Sequence, residues 1–362
     1  MQIINDRRAL HRIPELELQL PKTMEYILTA LQPLNCRILT PVGCAVCAFF
    51  DFGKDSAIAF RADMDGLPVT EETGRDFASR IPGQMHACGH DGHMAILLEL
   101  ARRLSAKNAL AHNVLLIFQP GEENPGGADA ICRTGILQKF QVEAIFGLHL
   151  WPGLEAGKIF CRENEMMSHA NELDVHFYGR AAHIAKYGEG IDTILAAGEF
   201  IRQVYAAEAQ LPKNIYRLLK FGRMESGTVR NVVAAHTHLQ GCFRVFQDEI
   251  YDMLLGKLRE AKEAVEKQFG CRVELCLNDC YPAVMNPPQL YQKVAALVPL
   301  SDPGAPSMTA EDFSYYQQQV PGLFFWLGLG DVPPLHSNTF DFDESILVKG
   351  ADFFEELAEK FQ

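Results

Sequence analysis

The chain has 362 residues, of which 46 are acidic and 33 are Lys or Arg, giving a formal net charge of −13. At 48% hydrophobic and 22% charged it has the composition of a globular protein, and its length favours two domains over one core. The acid excess, without a Lys/Arg-rich run, removes the electrostatic basis for binding nucleic acid or an anionic membrane, and no apolar run reaches the ~20 residues of a membrane span. The first twenty residues lack the apolar core of a signal peptide. Ten cysteines are scattered without a dense framework and read as reduced thiols. The expectation is a soluble cytoplasmic protein.

In chain order, 56–61 (SAIAFR) predicts a buried strand that runs into an acidic turn at 62–66. Helical spacing follows over 93–105, then a strand over 113–119 (NVLLIFQ), a helix over 127–140 and a strand over 144–150 (AIFGLHL). Strands separated by single helices imply crossover connections and a mostly parallel α/β sheet covered on both faces. Near Ser168 the texture changes. Alternating strands are expected over 172–178, 215–221, 236–246 and 272–278, with helices over 191–207 and 248–269. This pattern predicts a smaller α+β domain with an antiparallel sheet. Buried-strand texture returns at 323–327 (LFFWL), so the second domain interrupts the first.

The unusual polar residues fall at predicted strand ends, where loops of open α/β sheets present side chains to a ligand crevice. Asp63 and Asp65 follow the first strand, Cys88 and His90 precede a helix in HACGHDGH, Glu122 and Glu123 follow 113–119, His149 lies at the end of the strand over 144–150, and His336 follows the LFFWL strand. Singly, each has a bland reading: a turn aspartate, a solvated Glu-Glu pair, a core histidine. Jointly, thiolate, imidazole and carboxylate converging on one crevice make a transition-metal site. Adjacent Glu122 and Glu123 cannot both be ordinary ligands of one ion, so one ligand and one general base is the natural division, as metal-assisted hydrolysis requires. Cys44 and Cys47 form C-x-x-C without a thioredoxin setting, and GLGLGD lacks the third glycine of a dinucleotide loop.

RADMDGLPVTEETG, MHACGHDGHMA, FQPGEE, GLHLWPGLEAGKI, SMTAEDF and FFWLG…PPLHSNTFDFDE run in order over nearly the whole chain. This set resembles the M20 metallopeptidases and, within them, the amidohydrolase branch that cleaves N-acyl amino acids. The resemblance implies a zinc-exopeptidase-like α/β catalytic domain over 1–167 and 281–362, interrupted by a lid and dimerisation domain over 168–280. It implies Cys88, His90, Glu123, His149 and His336 as ligands of two divalent ions: zinc or manganese, with nickel or cobalt as alternatives. Glu122 would be the general base and acid, and Asp65 would support a histidine ligand from behind. His183 would reach the active site of the partner subunit in a homodimer, and Asn231 and Arg244 would hold the carboxylate of a small N-acyl amino acid. Within HACGHDGH, His86 and His93 would pack or hydrogen-bond around the ligands and Asp91 would lie outside them.

Parts of the chain depart from this pattern. QPGEENPGGADA resembles the N-acetyldiaminopimelate deacetylases, whereas LHS and FDFDE resemble the broader hippurate and aminoacyl hydrolases. The loop 184–192 lacks the Pro-His pair of most relatives, and 286–311 is short. Three readings remain: an N-acyl amino acid amidohydrolase, a di- or aminopeptidase of the same fold, and a metal-binding homologue without activity. The last would be expected to have lost Glu122, which is present.

Overall fold

The runs that build the central sheet are almost purely apolar because both of its faces are covered. The computed structural model describes residues 1–362, the side chains of Asp279 and Cys280 excepted. It divides into one unit comprising Met1–Met166, Val284–Pro306 and Glu311–Gln362, and a second comprising Met167–Ala283 and Ser307–Ala310.

In chain order the first unit carries helices α1 (Gln2–His11) and α2 (Pro21–Leu31), then strands β1 (Arg37–Leu39), β2 (Val46–Phe50) and β3 (Ala57–Asp63). It continues with α3 (His90–Ser105), β4 (Asn113–Gln119), α4 (Ala128–Arg133), α5 (Ile136–Lys139), β5 (Val142–Trp151), β6 (Ile159–Phe160) and β7 (Asn164–Met167). The second unit holds β8 (His169–Tyr178), α6 (Thr193–Glu208), β9 (Leu218–Ser226), β10 (His236–Val245), α7 (Asp248–Phe269) and β11 (Arg272–Tyr281). The first then resumes with β12 (Val284–Asn286), α8 (Pro288–Ala295), α9 (Ser314–Gln317), β13 (Gly322–Gly328) and α10 (Leu347–Lys360).

The seven-stranded sheet has the order β1-β2-β4-β3-β5-β13-β6. Its centre, β4, β3, β5 and β13, is parallel, and β1, β2 and β6 join antiparallel at the edges. Every residue of β3, β4 and β13 is buried, as a parallel sheet under helices requires. The register aligns Asp63 with Gln119 and His149 with Trp326, so the polar strand ends lie on one edge of the sheet.

Two local features differ from the sequence expectation. The helix expected over 127–140 is two short helices, α4 and α5, because Gly135 between them sits at φ 70°, a left-handed conformation that ends a helix. The helix expected to open near His93 begins at His90, after Gly89 at φ 87°. His90 is therefore in the first helical turn rather than in an irregular loop.

In the second unit, a four-stranded antiparallel sheet of order β11-β8-β10-β9 shows the period-two alternation of a strand with one buried face. Leu173, Val175 and Phe177 of β8 and Leu239 and Phe243 of β10 pack with Ala197, Phe200 and Val204 of α6 and Leu254, Leu258 and Val265 of α7. The intervening residues, among them Asp174, His176 and His238, project from the opposite face. Every described cysteine is a free thiol, and the side chain of Cys280 lies outside the described residues. Among the described residues no helix is long and apolar enough to cross a membrane.

Candidate metal centre

Each residue of the centre is placed by a backbone feature next to it. The left-handed Gly89 turns the chain between Cys88 and the helical His90. Glu122 and Glu123 occupy the turn after β4, and the carboxylate of Asp65 accepts both of their backbone N–H groups, at 2.9 and 3.1 Å. His149 lies in β5 and donates from Nδ1 to the Leu150 carbonyl at 2.7 Å, which leaves Nε2 as the ligating nitrogen. His336 adopts a left-handed φ of 65°, uncommon for a residue with a Cβ, and its N–H is held by the Ala87 carbonyl at 2.8 Å.

These side chains converge. Cys88 Sγ is 3.4 Å from His149 Nε2, and His336 Nε2 is 3.2 Å from Glu123 Oε1. His90 Nε2 lies 3.8 Å from Asp63 Oδ2 and 4.0 Å from carboxylate oxygens of both Glu122 and Glu123. The donor atoms of Cys88, His90 and His149 lie within 4.8 Å of one another, as do those of Cys88, Glu123 and His336 and those of His90, Glu122 and Glu123. Bonds of ~2.0–2.3 Å to one ion would separate neighbouring ligand atoms by roughly 3–4 Å, the spacing found between Cys88 and His149. His90 Nε2 is buried and finds no hydrogen-bond partner among the described residues. Its Nδ1 is tied at 2.8 Å to the Asp65 carbonyl, so the orphaned nitrogen points at the carboxylates. An unpartnered imidazole nitrogen among carboxylates and a thiol fits a divalent metal.

The pocket's electrostatics point the same way. Burial and the neighbouring Glu311, Glu123 and Asp312 push the Glu122 carboxyl well above the usual carboxylate range. Burial and the carboxylates of Glu123, Glu122 and Asp63 likewise push the Cys88 thiol well up. Burial disfavours a charged His90, yet Asp63, Asp65 and Glu123 outweigh it and lift its pKa to about 10. These charges, joined by burial at Cys88, therefore favour protons on Cys88 and His90, which would ligate only without them. Despite burial, His336 and His90 hold Glu123 below the usual carboxylate range, and burial holds His149 low. A bound cation would exchange with the protons on Cys88 and His90.

Sequence reasoning missed the groups behind the centre. Arg61, fully buried in β3, contacts Asp63 Oδ2 at 2.6 Å, Glu311 Oε1 at 3.0 Å, Asp312 Oδ1 at 2.8 Å and Gln119 Oε1 at 2.9 Å. Asp63 Oδ1 accepts from His93 Nδ1 at 2.6 Å, and His93 Nε2 accepts the Leu150 N–H at 2.9 Å, so His93 braces β3, α3 and β5. Glu311 and Asp312 lay within the SMTAEDF block, but nothing local marked them as partners of Arg61. Asp65 stands behind His90, its main-chain carbonyl 2.8 Å and its Oδ1 3.6 Å from His90 Nδ1, while its carboxylate also shapes the Glu122–Glu123 turn. Asp91 belongs to a separate network, its Oδ2 shared by Arg7 Nε and His11 Nδ1 at 2.8 Å each.

The remaining candidates lie in the second unit. His183 is exposed and accepts the Ala185 N–H through Nδ1 at 3.2 Å. It bridges to Val232, and Ile184 donates to the Asn231 carbonyl at 2.9 Å, so His183 and Asn231 are neighbours. Arg244 stands apart near the far end of β10, bonded to the Met308 carbonyl, beside a groove of about 710 Å³ that also exposes Lys220 and Arg223.

The sequence profile of peptidase family M20/M25/M40 matches residues 59–360. An uncharacterized hydrolase of Staphylococcus epidermidis is 34% identical, covering 98% of this chain and 97% of that protein. An N-acetyldiaminopimelate deacetylase of Shouchella clausii is also 34% identical, covering 93% and 92%. Among solved structures, the YXEP protein of Bacillus subtilis, described as a dinuclear metal-binding peptidase of the M20 family, superposes with a TM-score of 0.86 at 32% identity, covering 99% of this chain and 96% of that one. The chain belongs to the M20 family and to its amidohydrolase branch, as a metal-dependent hydrolase.

Proposed function

We propose that the protein hydrolyses the amide bond of N-acyl amino acids, with acetylated diaminopimelate among the substrates to test because of the likeness to the deacetylases. The observation that carries this reading is the orphaned His90 Nε2, set between Asp63, Glu122 and Glu123 and beside the Cys88–His149 pair. Cys88, His90, Glu123, His149 and His336 would hold two divalent ions. Bound there, the ions would supply Lewis acidity and acidify water.

The chain's own groups do the rest. Glu122, whose turn is pinned by Asp65, accepts a proton from the attacking water at its carboxylate and returns it to the departing amine nitrogen. Arg61 holds Asp63, Glu311 and Asp312 behind the reacting groups. Arg244 takes the substrate carboxylate, for which a guanidinium fork is suited, and Asn231, the neighbour of His183 rather than of Arg244, joins it from the partner subunit. His183 stabilises the oxyanion in the partner subunit's site. A homodimer through the second unit is supported by large exposed apolar side chains on that unit, which a partner surface would cover: Ile184, Tyr187, Leu195 and Val229 are 49%, 75%, 61% and 57% exposed. A panel of acetyl, benzoyl and long-chain acyl amino acids, assayed with zinc, manganese, nickel and cobalt, tests the proposal. Hydrolysis of at least one acyl class, dependent on added metal, is expected. Cleavage of unblocked dipeptides alone would replace the proposal with the peptidase reading.

A further inference from the structure

The second unit carries another convergence of ligating side chains, on the sheet face opposite α6 and α7. Asp174 and His176 are two residues apart on β8, and His236 and His238 are two apart on β10, so alternation puts all four on one face. The antiparallel register sets His176 directly across from His238, and His236 across from Tyr178. His238 Nε2 is 2.5 Å from Asp174 Oδ1, and His176 Nδ1 is 3.3 Å from His236 Nε2. The rings of His176 and His238 stack at 4.1 Å between centroids. One donor atom from each of Asp174, His176 and His238 lies within 4.8 Å of the others. Solvent reaches them, with Asp174 and His238 side chains 23% and 22% exposed. The same cross-strand row ends in carboxylates on both sides, with Glu274 of β11 paired to His176 and Glu225 of β9 paired to His238.

The bland alternative is a solvated polar face with one His–Asp hydrogen bond. That accounts for His238 but not for three imidazoles crowded together, which repel one another once protonated. Several imidazoles beside one carboxylate make a ligand set that borderline divalent ions select. We propose that Asp174, His176 and His238, with His236 as a further ligand, form a divalent transition-metal site on the second unit, separate from the centre around His90. The ion would tie β8 to β10, with Glu225 and Glu274, which pair with Arg223 and Arg272, on the neighbouring strands at either side.

Equilibrium dialysis of the chelator-stripped protein against Zn2+, with zinc counted per chain by atomic emission, tests this site. The His176→Gln/His238→Gln double variant is expected to hold one zinc fewer per chain than the wild type. Cys88→Ser/His90→Gln should retain that zinc while losing others, so failure of the hydrolase reading would be distinguishable. Asp174→Asn, a near-isosteric surface exchange, gives a second reading of the same loss should the double variant not fold. Equal zinc content in the wild type, the double variant and Asp174→Asn would overturn the proposal.

Discussion

Replacing Arg61 by Met tests whether the ion network behind the metal centre behaves as its geometry implies. Arg61 is fully buried and is the cation touching Asp63, Glu311 and Asp312 at 2.6, 3.0 and 2.8 Å. Burial and the neighbouring Asp312 and Asp63 raise the Glu311 carboxyl to about 8 even against Arg61, so the guanidinium is already outnumbered. Met fills similar volume, so little is lost in packing. What is lost is the charge, and removing one partner of a buried ion network costs ~3–5 kcal/mol because the others are left uncompensated. At ~2–4 °C per kcal/mol for a unit of this size, the melting temperature should fall by on the order of 10 °C. The stranded carboxylates can relieve the penalty by binding protons, so the loss should be larger at pH ~8.5 than at pH ~6. Calorimetry of both proteins at fixed metal concentration across that range is the assay. Arg61→Lys should fall between them, because one ammonium cannot reproduce the fork. A loss below ~1 kcal/mol, or one that grows as pH falls, would refute the reasoning.

Other predictions follow from the same contacts. Glu122→Gln should lower kcat by ~10²–10⁴-fold with metal content unchanged by atomic emission; an unchanged rate would remove Glu122 from the mechanism. His11, between Asp91 and Glu71, has its pKa raised to about 9, against ~6.5 unfolded. Its contribution, at most on the order of 3 kcal/mol, should therefore be complete below pH ~6.5 and lost as pH rises through about 9. His11→Gln should flatten that part of the wild-type stability profile, and identical profiles would discount the network. Leu195→Glu combined with Val229→Glu should convert a dimer to a monomer in sedimentation velocity; a persisting dimer would place the interface elsewhere.

The strongest sequence signals were the runs with no competing use. AIAF, VLLIF and LFFWL are apolar throughout because the parallel strands they form are buried on both faces. The edge strands β1 and β6, RIL and IF, are too short to carry such a signal, and the helix expected over 127–140 failed because one glycine outweighed the apolar spacing on either side. Cys88, His90, Glu122, Glu123 and His149 were visible as candidates because each sits at or just beyond a strand or helix end, and His336 because it follows the LFFWL strand in the chain. Their joint placement is tertiary, and so is the Arg61 network, whose contact with Asp312 spans 251 residues of chain. The histidines of the second unit were overlooked for a different reason. Along each strand, D-x-H and H-x-H read as the wet side of an alternating pattern, and only the register of β8 against β10 brings them together.

The central claim is that this chain is a hydrolase working through metal held by Cys88, His90, Glu123, His149 and His336. Its most direct test is to strip the protein with a chelator, add zinc or manganese in measured equivalents, and follow hydrolysis of an N-acetyl amino acid. The account predicts that activity vanishes on stripping, returns with added metal, and does not return in the Cys88→Ser/His90→Gln variant. Full activity in the stripped protein, or full recovery in that variant, would contradict it.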